Sequence, residues 1–178
     1  MATTRILPLV VSVAVVSASV LAGVPGAQAT AGAYDWPLDP RPEVVTGFTP
    51  PTQRWESGHR GVDLAATPGQ AVYAAGPGTV HFAGVVDGRT VVSVLHPNGL
   101  LTTYEPLAET AVRAGDAVTV GAPIGTVAPG HPGCPREVCL HWGLRKGSGH
   151  SARYYDPRLL VGAGAVRLLP LGSPQRSG

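Results

Sequence analysis

Beyond residue 25 a glycine or proline recurs every few residues, and no apolar stripe between them survives three helical turns. A surface helix needs such a stripe to bury one face, and both residue types weaken or break the helical hydrogen-bond ladder. With 24 glycines and 18 prolines in 178 residues, helix is expected to be scarce. The runs between the breakers have another character: "GTVHFAGVV", "RTVVSVLH" and "GLLTTYEPL" are short and rich in valine and threonine. Asp87-Gly88 and Pro97-Asn98-Gly99 separate them, two tight-turn signals that predict three consecutive antiparallel strands. Further short strands fit "EVVTGF", "VDLAA", "QAVYAA", "AVTV", "PIGTVA" and "CLHWGLR", with turns at "TPGQ", "AGD" and "VGAP". Many short strands at close spacing predict an all-β fold, a two-layer antiparallel sandwich or partly closed barrel. The length suits one domain with a real core.

The two ends differ from this middle. Ile6 to Val24 is an almost unbroken apolar stretch behind the lone Arg5, and "GAQA" closes on Ala27 and Ala29 in the small-x-small pattern that precedes signal cleavage. Residues 1–29 therefore read as a secretory signal; a retained membrane anchor is the other reading of the same stretch. Either one places the working part outside the cytoplasm, secreted or in the cell envelope. Residues 30–42, with "DWPLDPRPE", read as an extended lead-in, and residues 163–178, ending in "GSPQRSG", as a partly disordered tail.

After the leader the chain carries twelve Lys and Arg against eleven Asp and Glu, with no run of one sign. That balance leaves no electrostatic footprint for nucleic acid or for an acidic membrane surface. The only cysteines are Cys134 and Cys139. In an exported chain an even count at this spacing favours a disulfide closing a small loop; reduced, Cys139 could instead offer a thiolate to a metal.

The metal-capable side chains fall in a pattern. His59 and Asp63 lie four apart, which puts them on one face of a strand, and Gly58 and Gly61 allow an irregular bend between them. In "CLHWGLR", residues 139, 141 and 143 share one face while Leu140, Trp142 and Leu144 share the other, so the tryptophan reads as core and His141 as facing outward. Imidazole and carboxylate are good zinc donors, and His141 could supply a third to the His59–Asp63 pair. The pair alone occurs often by chance and also reads as a surface hydrogen bond.

Larger segments resolve the ambiguity. "GHRGVDLAATPGQAVYAAGPGTVHFAG", "VVSVLHPNGLLTTYEPL", "VRAGDAVTVGAPIGTV", "CLHWGLR" and the ending "YYDPRLL" follow one another in an order and spacing that resemble the lysostaphin-type, LytM-like zinc metallopeptidases, metallopeptidase family twenty-three. The resemblance runs from Trp36 to Leu160 and implies a peptidase-like domain over residues 43–162. It also implies an antiparallel β scaffold with a groove that holds one zinc, and action on peptidoglycan peptides. The family signature, His-x-x-x-Asp followed by His-x-His, maps the zinc ligands to His59, Asp63 and His141.

Two positions depart from the signature. Cys139 stands where the family has the first His of His-x-His, and Pro106 in "YEPL" stands where it has the His of Tyr-x-His-Leu. Both missing histidines are those the family uses for acid–base work and transition-state stabilisation, so the catalytic group is open. Glu105, beside Pro106, and His131 and Glu137, in the cysteine loop, are candidate replacements, and each also reads as an exposed side chain. Glu105 is expected on the opposite strand face from Pro106. Nothing is assigned to His81, His96 or His150. Two readings follow: a secreted zinc metalloendopeptidase of weakened or rerouted chemistry, and a non-catalytic module that binds peptidoglycan or activates another wall hydrolase.

Overall fold

The structure, a computed structural model, describes residues 34–51, 53 and 56–162. The leader read at 1–29 and the tail read at 163–178 lie outside them. Ten strands follow in chain order: β1 (Val44–Thr46), β2 (Gly61–Ala65), β3 (Ala71–Tyr73), β4 (Gly78–Val86), β5 (Arg89–Leu95), β6 (Leu100–Thr110), β7 (Ala117–Val118), β8 (Pro123–Val127), β9 (Cys139–Lys146) and β10 (Arg153–Tyr155). Among the described residues helix is confined to a 3-10 turn at Gly149–Ser151 and one short α-helix, α1 (Arg158–Val161), and no helix is long and apolar enough to cross a membrane. The all-β expectation holds.

Both tight turns form as their residues predict. Asp87 and Gly88 sit at φ 50° and 76°, the left-handed pair that lets a two-residue turn follow the twist of β4 and β5. Gly99, at φ 77°, closes the β5–β6 turn, where its N–H donates to the His96 carbonyl and Leu100 N–H donates to Asn98 Oδ1.

Every pairing is antiparallel, and the main order is β1-β2-β9-β6-β5-β4-β7, with β10 beside β9 and with β3 and β8 joined through β6. The sheet is not closed. The long β6 sets this shape. Leu100–Glu105 pair with β9, whereas Leu107–Thr110 pair with β8, and Pro106 lies at the change of partner. A proline has no N–H to give to a ladder, so one ladder stops there and another starts. The strand does not end at the proline; it changes neighbour.

One buried cluster draws on both parts of the sheet: Val62 and Leu64 of β2, Tyr104 of β6, and Leu140 and Trp142 of β9, with Val72 of β3 and Ile124 and Val127 of β8. The segment before β1 also joins it. Leu38 is buried, the Trp36 ring lies 5.8 Å from that of Trp142, and Tyr73 N–H donates to the Pro37 carbonyl.

A polar chain crosses this core. Ala75 N–H donates to Tyr104 Oη, Tyr104 Oη lies 2.9 Å from Thr102 Oγ1, and Thr102 Oγ1 lies 2.9 Å from His96 Nε2. His96 Nδ1–H donates to the Pro77 carbonyl at 2.8 Å, which leaves Nε2 as the acceptor for the Thr102 hydroxyl and Thr102 as the acceptor for the Tyr104 hydroxyl. Every group in the chain has a partner. Burial lowers the His96 pKa, against its bond to Pro77, and pushes the Tyr104 phenol up to about 12.

Candidate metal centre

The opposite face of the same strands carries the site. In the register of β2 and β9, Asp63 is paired with His141, and Gly61 with Gly143. Alternation sends Val62, Leu64, Leu140 and Trp142 into the core, so Asp63 and His141 project together on the other side. Gly61 leaves room for them: a Cβ there would meet the Trp142 carbonyl and lie 2.6 Å from His141 Nε2. His59 precedes β2 on a short bridge to Thr49, and its Nδ1–H donates to the Gly47 carbonyl at 2.7 Å.

The three residues expected to meet do so. His59 Nε2 stands 2.9 Å from Asp63 Oδ1 and 3.0 Å from His141 Nδ1, and His141 Nδ1 is 3.0 Å from the same carboxylate oxygen. A fourth residue joins them: His131 Nε2 is 3.0 Å from Asp63 Oδ1. One donor atom from each of the four residues lies within 4.8 Å of all the others. Nothing periodic in the sequence pointed His131 there; its one signal was its place in the cysteine loop.

The other candidates stay apart. Glu105 is the register partner of His141, but its carboxylate takes a hydrogen bond from Arg89 Nε at 3.5 Å and is not among the donors. Glu137 is exposed. Cys139 is bonded to Cys134, with 5.8 Å between their Cα atoms, so its sulfur is no free ligand. Pro106 is buried at the strand junction.

The electrostatics are unusual for a cluster satisfied by protein alone. Asp63 is 2% exposed, and its ionic partners are His59, His131 and His141. Burial by itself raises its pKa, yet hydrogen bonds from His131 and His141 and the charge of His131 and His59 outweigh this and hold the carboxyl far below the usual range. Because His59 donates its Nδ1–H to the Gly47 carbonyl, Nε2 is the ring atom turned towards the Asp63 oxygen. An imidazole nitrogen and a carboxylate oxygen at that distance need a proton or a cation between them. Three imidazole nitrogens and one carboxylate oxygen are a donor set that suits zinc, so the residues present fit that metal.

The sequence pattern of Peptidase family M23 matches residues 57–157. The chain belongs to peptidase family M23. Peptidases of this family are zinc-dependent and act on peptidoglycan peptides. An uncharacterised protein of Mycobacterium tuberculosis is 48% identical over 157 residues, which cover 88% of this chain and 63% of that protein. The chain thus spans less than two thirds of such relatives. Among solved structures, a chain of the SpoIIQ–SpoIIIAH pore-forming complex is 27% identical with a TM-score of 0.56, over 65% of this chain and 84% of that one. The catalytic domain of lysostaphin from Staphylococcus simulans, at 22% identity and a TM-score of 0.58 over 68% of this chain and 93% of that one, shares the fold.

Proposed function

We infer that this M23 chain is an exported zinc metalloendopeptidase acting on the peptides of peptidoglycan, with His59, Asp63 and His141 as the metal-holding residues. The observation that carries the reading is the convergence of His59 and His141 on one buried oxygen of Asp63, at the positions of the family signature. Zinc bound there would supply Lewis-acid polarisation of the scissile carbonyl and activation of water. The chain's own residues prepare the site. Gly47 orients the His59 ring, Asp63 contributes the negative charge, and Gly61 keeps the His141 ring clear of β2. A cavity of about 590 Å³, lined by Pro50, Pro51, Arg60 and His150 to Tyr155, offers room for an extended peptide; of its lining, Arg60 follows His59 in the chain. The Arg60 guanidinium lies over the Tyr154 ring at 5.6 Å on its wall.

A second reading has its own support. Pro106 is enclosed at the strand junction and Cys139 is consumed in a disulfide, so neither position of the family's acid–base histidines can transfer a proton. A structural relative that is part of a pore-forming assembly also favours a binding module. One experiment separates the two: purified peptidoglycan incubated with zinc-loaded and with metal-stripped protein. Release of soluble peptides by the zinc-loaded protein alone is the expected result. Sedimentation with the wall without release would carry the binding module, and neither release nor sedimentation would overturn both readings.

A further inference from the structure

We propose that His131 is a fourth donor to the metal, delivered by a loop that the Cys134–Cys139 disulfide holds down, so that the state of two cysteines sets how many protein donors the metal has. The inference rests on the zinc reading of the same site.

Geometry gives His131 the same standing as the assigned donors. Its Nε2 is as far from Asp63 Oδ1, 3.0 Å, as His141 Nδ1 is, and His59 Nε2 is at 2.9 Å. Donors about 2.0–2.1 Å from a tetrahedral zinc lie roughly 3.3 Å from one another, so spacings of this order describe the edges of one coordination shell. His131 is also less exposed than its companions, with a side chain 10% accessible against 20% for His59 and 13% for His141. Its ring stacks on that of His141, with 5.2 Å between centroids and 30° between planes. This is no loop side chain trailing in solvent.

The means of holding differ. His59 is steered by the Gly47 carbonyl, but His131 Nδ1 is buried with no hydrogen-bond partner. Apart from its contacts with Asp63 and His141, the ring is held in place by the loop. Cys134 lies three residues beyond His131, and its N–H donates to the His131 carbonyl at 3.3 Å. Its sulfur is bonded to Cys139, which is fully buried, is paired with Ala65 of β2 and stands two residues before His141. The fourth donor is tied to the strand that carries the third.

The chemical consequence follows from coordination number. Four protein donors fill a tetrahedral shell, the pattern of closed structural sites, whereas three leave the open position that catalytic sites keep. Thiol–disulfide exchange with an external dithiol would break the Cys134–Cys139 bond: the dithiol gives two electrons and two protons and becomes a disulfide, and the chain gains two thiols. The released loop would leave His59, Asp63 and His141 with a vacant position.

The test is zinc affinity, read by competition with a chromophoric chelator, together with the visible ligand-field band of the cobalt(II)-loaded protein. It compares the parent, His131→Ala, and the double variant Cys134→Ser/Cys139→Ser, which represents the opened loop without a chelating reductant. His131→Ala should weaken zinc by more than about tenfold, the lower end of what loss of even an outer partner costs, and weaken the cobalt band as solvent enters. The serine pair should do the same, and adding His131→Ala to it should change nothing further. Parent-like affinity and spectrum in His131→Ala would overturn the fourth donor; parent-like values in the serine pair would overturn the latch. His131→Ala keeps the disulfide, so it tests the donor even if the serine pair folds poorly. Failure of the underlying zinc reading looks different: a parent that binds no zinc, or binds it unchanged after Asp63→Ala, sinks both.

Discussion

Two clusters of buried polar groups lie on opposite faces of this sheet, each built around histidine, and they differ in how donors and acceptors are matched. On the core side, Ala75 N–H, the Tyr104 hydroxyl, the Thr102 hydroxyl, His96 and the Pro77 carbonyl form a chain in which each donor meets one acceptor. On the groove side, His59 donates its Nδ1–H to Gly47, while nitrogens of His59, His131 and His141 all meet the one Asp63 oxygen. Burial is similar, since His96 and Asp63 are each 2% exposed, so burial cannot explain the difference. A network that closes on itself is structure, and one in which several nitrogens meet a single carboxylate oxygen suits a cation.

The widest separation between the clusters should come from metal. Zinc added to the stripped parent should raise its unfolding free energy by mass action, about 2.7 kcal/mol at a free concentration one hundred times Kd. Asp63→Ala should abolish that gain and lower zinc content from about one per chain to well under half. Its circular dichroism should stay that of the parent, because core burial supplies most of the stability of a chain this size. Calorimetry with and without zinc, beside elemental analysis, checks this. Collapse of the metal-free variant would make the metal structural and erase the contrast.

Alkaline pH should act on the core side instead. The Tyr104 phenol titrates near 12 in the folded chain against 10.0 when unperturbed. Above pH 10 the unfolded chain therefore releases a proton that the folded chain keeps. The stability present below that pH is lost as pH rises towards 12, by about 2 to 3 kcal/mol at one pKa unit per 1.4 kcal/mol. Denaturant midpoints from pH 9 to 12 should show the fall, and Tyr104→Phe should flatten it. An unchanged slope in the variant would remove Tyr104 as the cause.

The smallest expected effect is that of Thr102→Val, which keeps the side-chain shape and deletes the middle of the chain. Leaving His96 Nε2 without a donor and the Tyr104 hydroxyl proton without an acceptor should cost about 1 to 2 kcal/mol. Zinc stoichiometry should not move. A Thr102→Val protein that unfolds at the parent's denaturant midpoint would show that the chain is no stabilising network, and altered zinc binding would show that the two faces are coupled.

Much of this arrangement was legible in the residues, for reasons of periodicity. Strand alternation separates Trp142 from His141 without knowledge of any neighbour, and Asp87-Gly88 demands its turn. His131 was less legible because its loop, with Pro132, Gly133 and Pro135, has no repeat that points a side chain anywhere. β10 was missed because its three residues gain strand form only by pairing with the margin of β9. At Pro106 only the tertiary ladders reveal that β6 passes from β9 to β8.

That change of partner bears on how the molecule opens. Because β6 is bonded to β5, β9 and β8, neither arm of the sheet can detach without breaking the ladders of the same strand, so its amides belong to the most cooperative unit and exchange with solvent through global unfolding. The cysteine loop has no such share in the ladders. The Cys134–Cys139 bond, rather than a ladder, ties it to β9, so the Asp63–His141 end of the site is held by strand pairing and the His131 end by one covalent link.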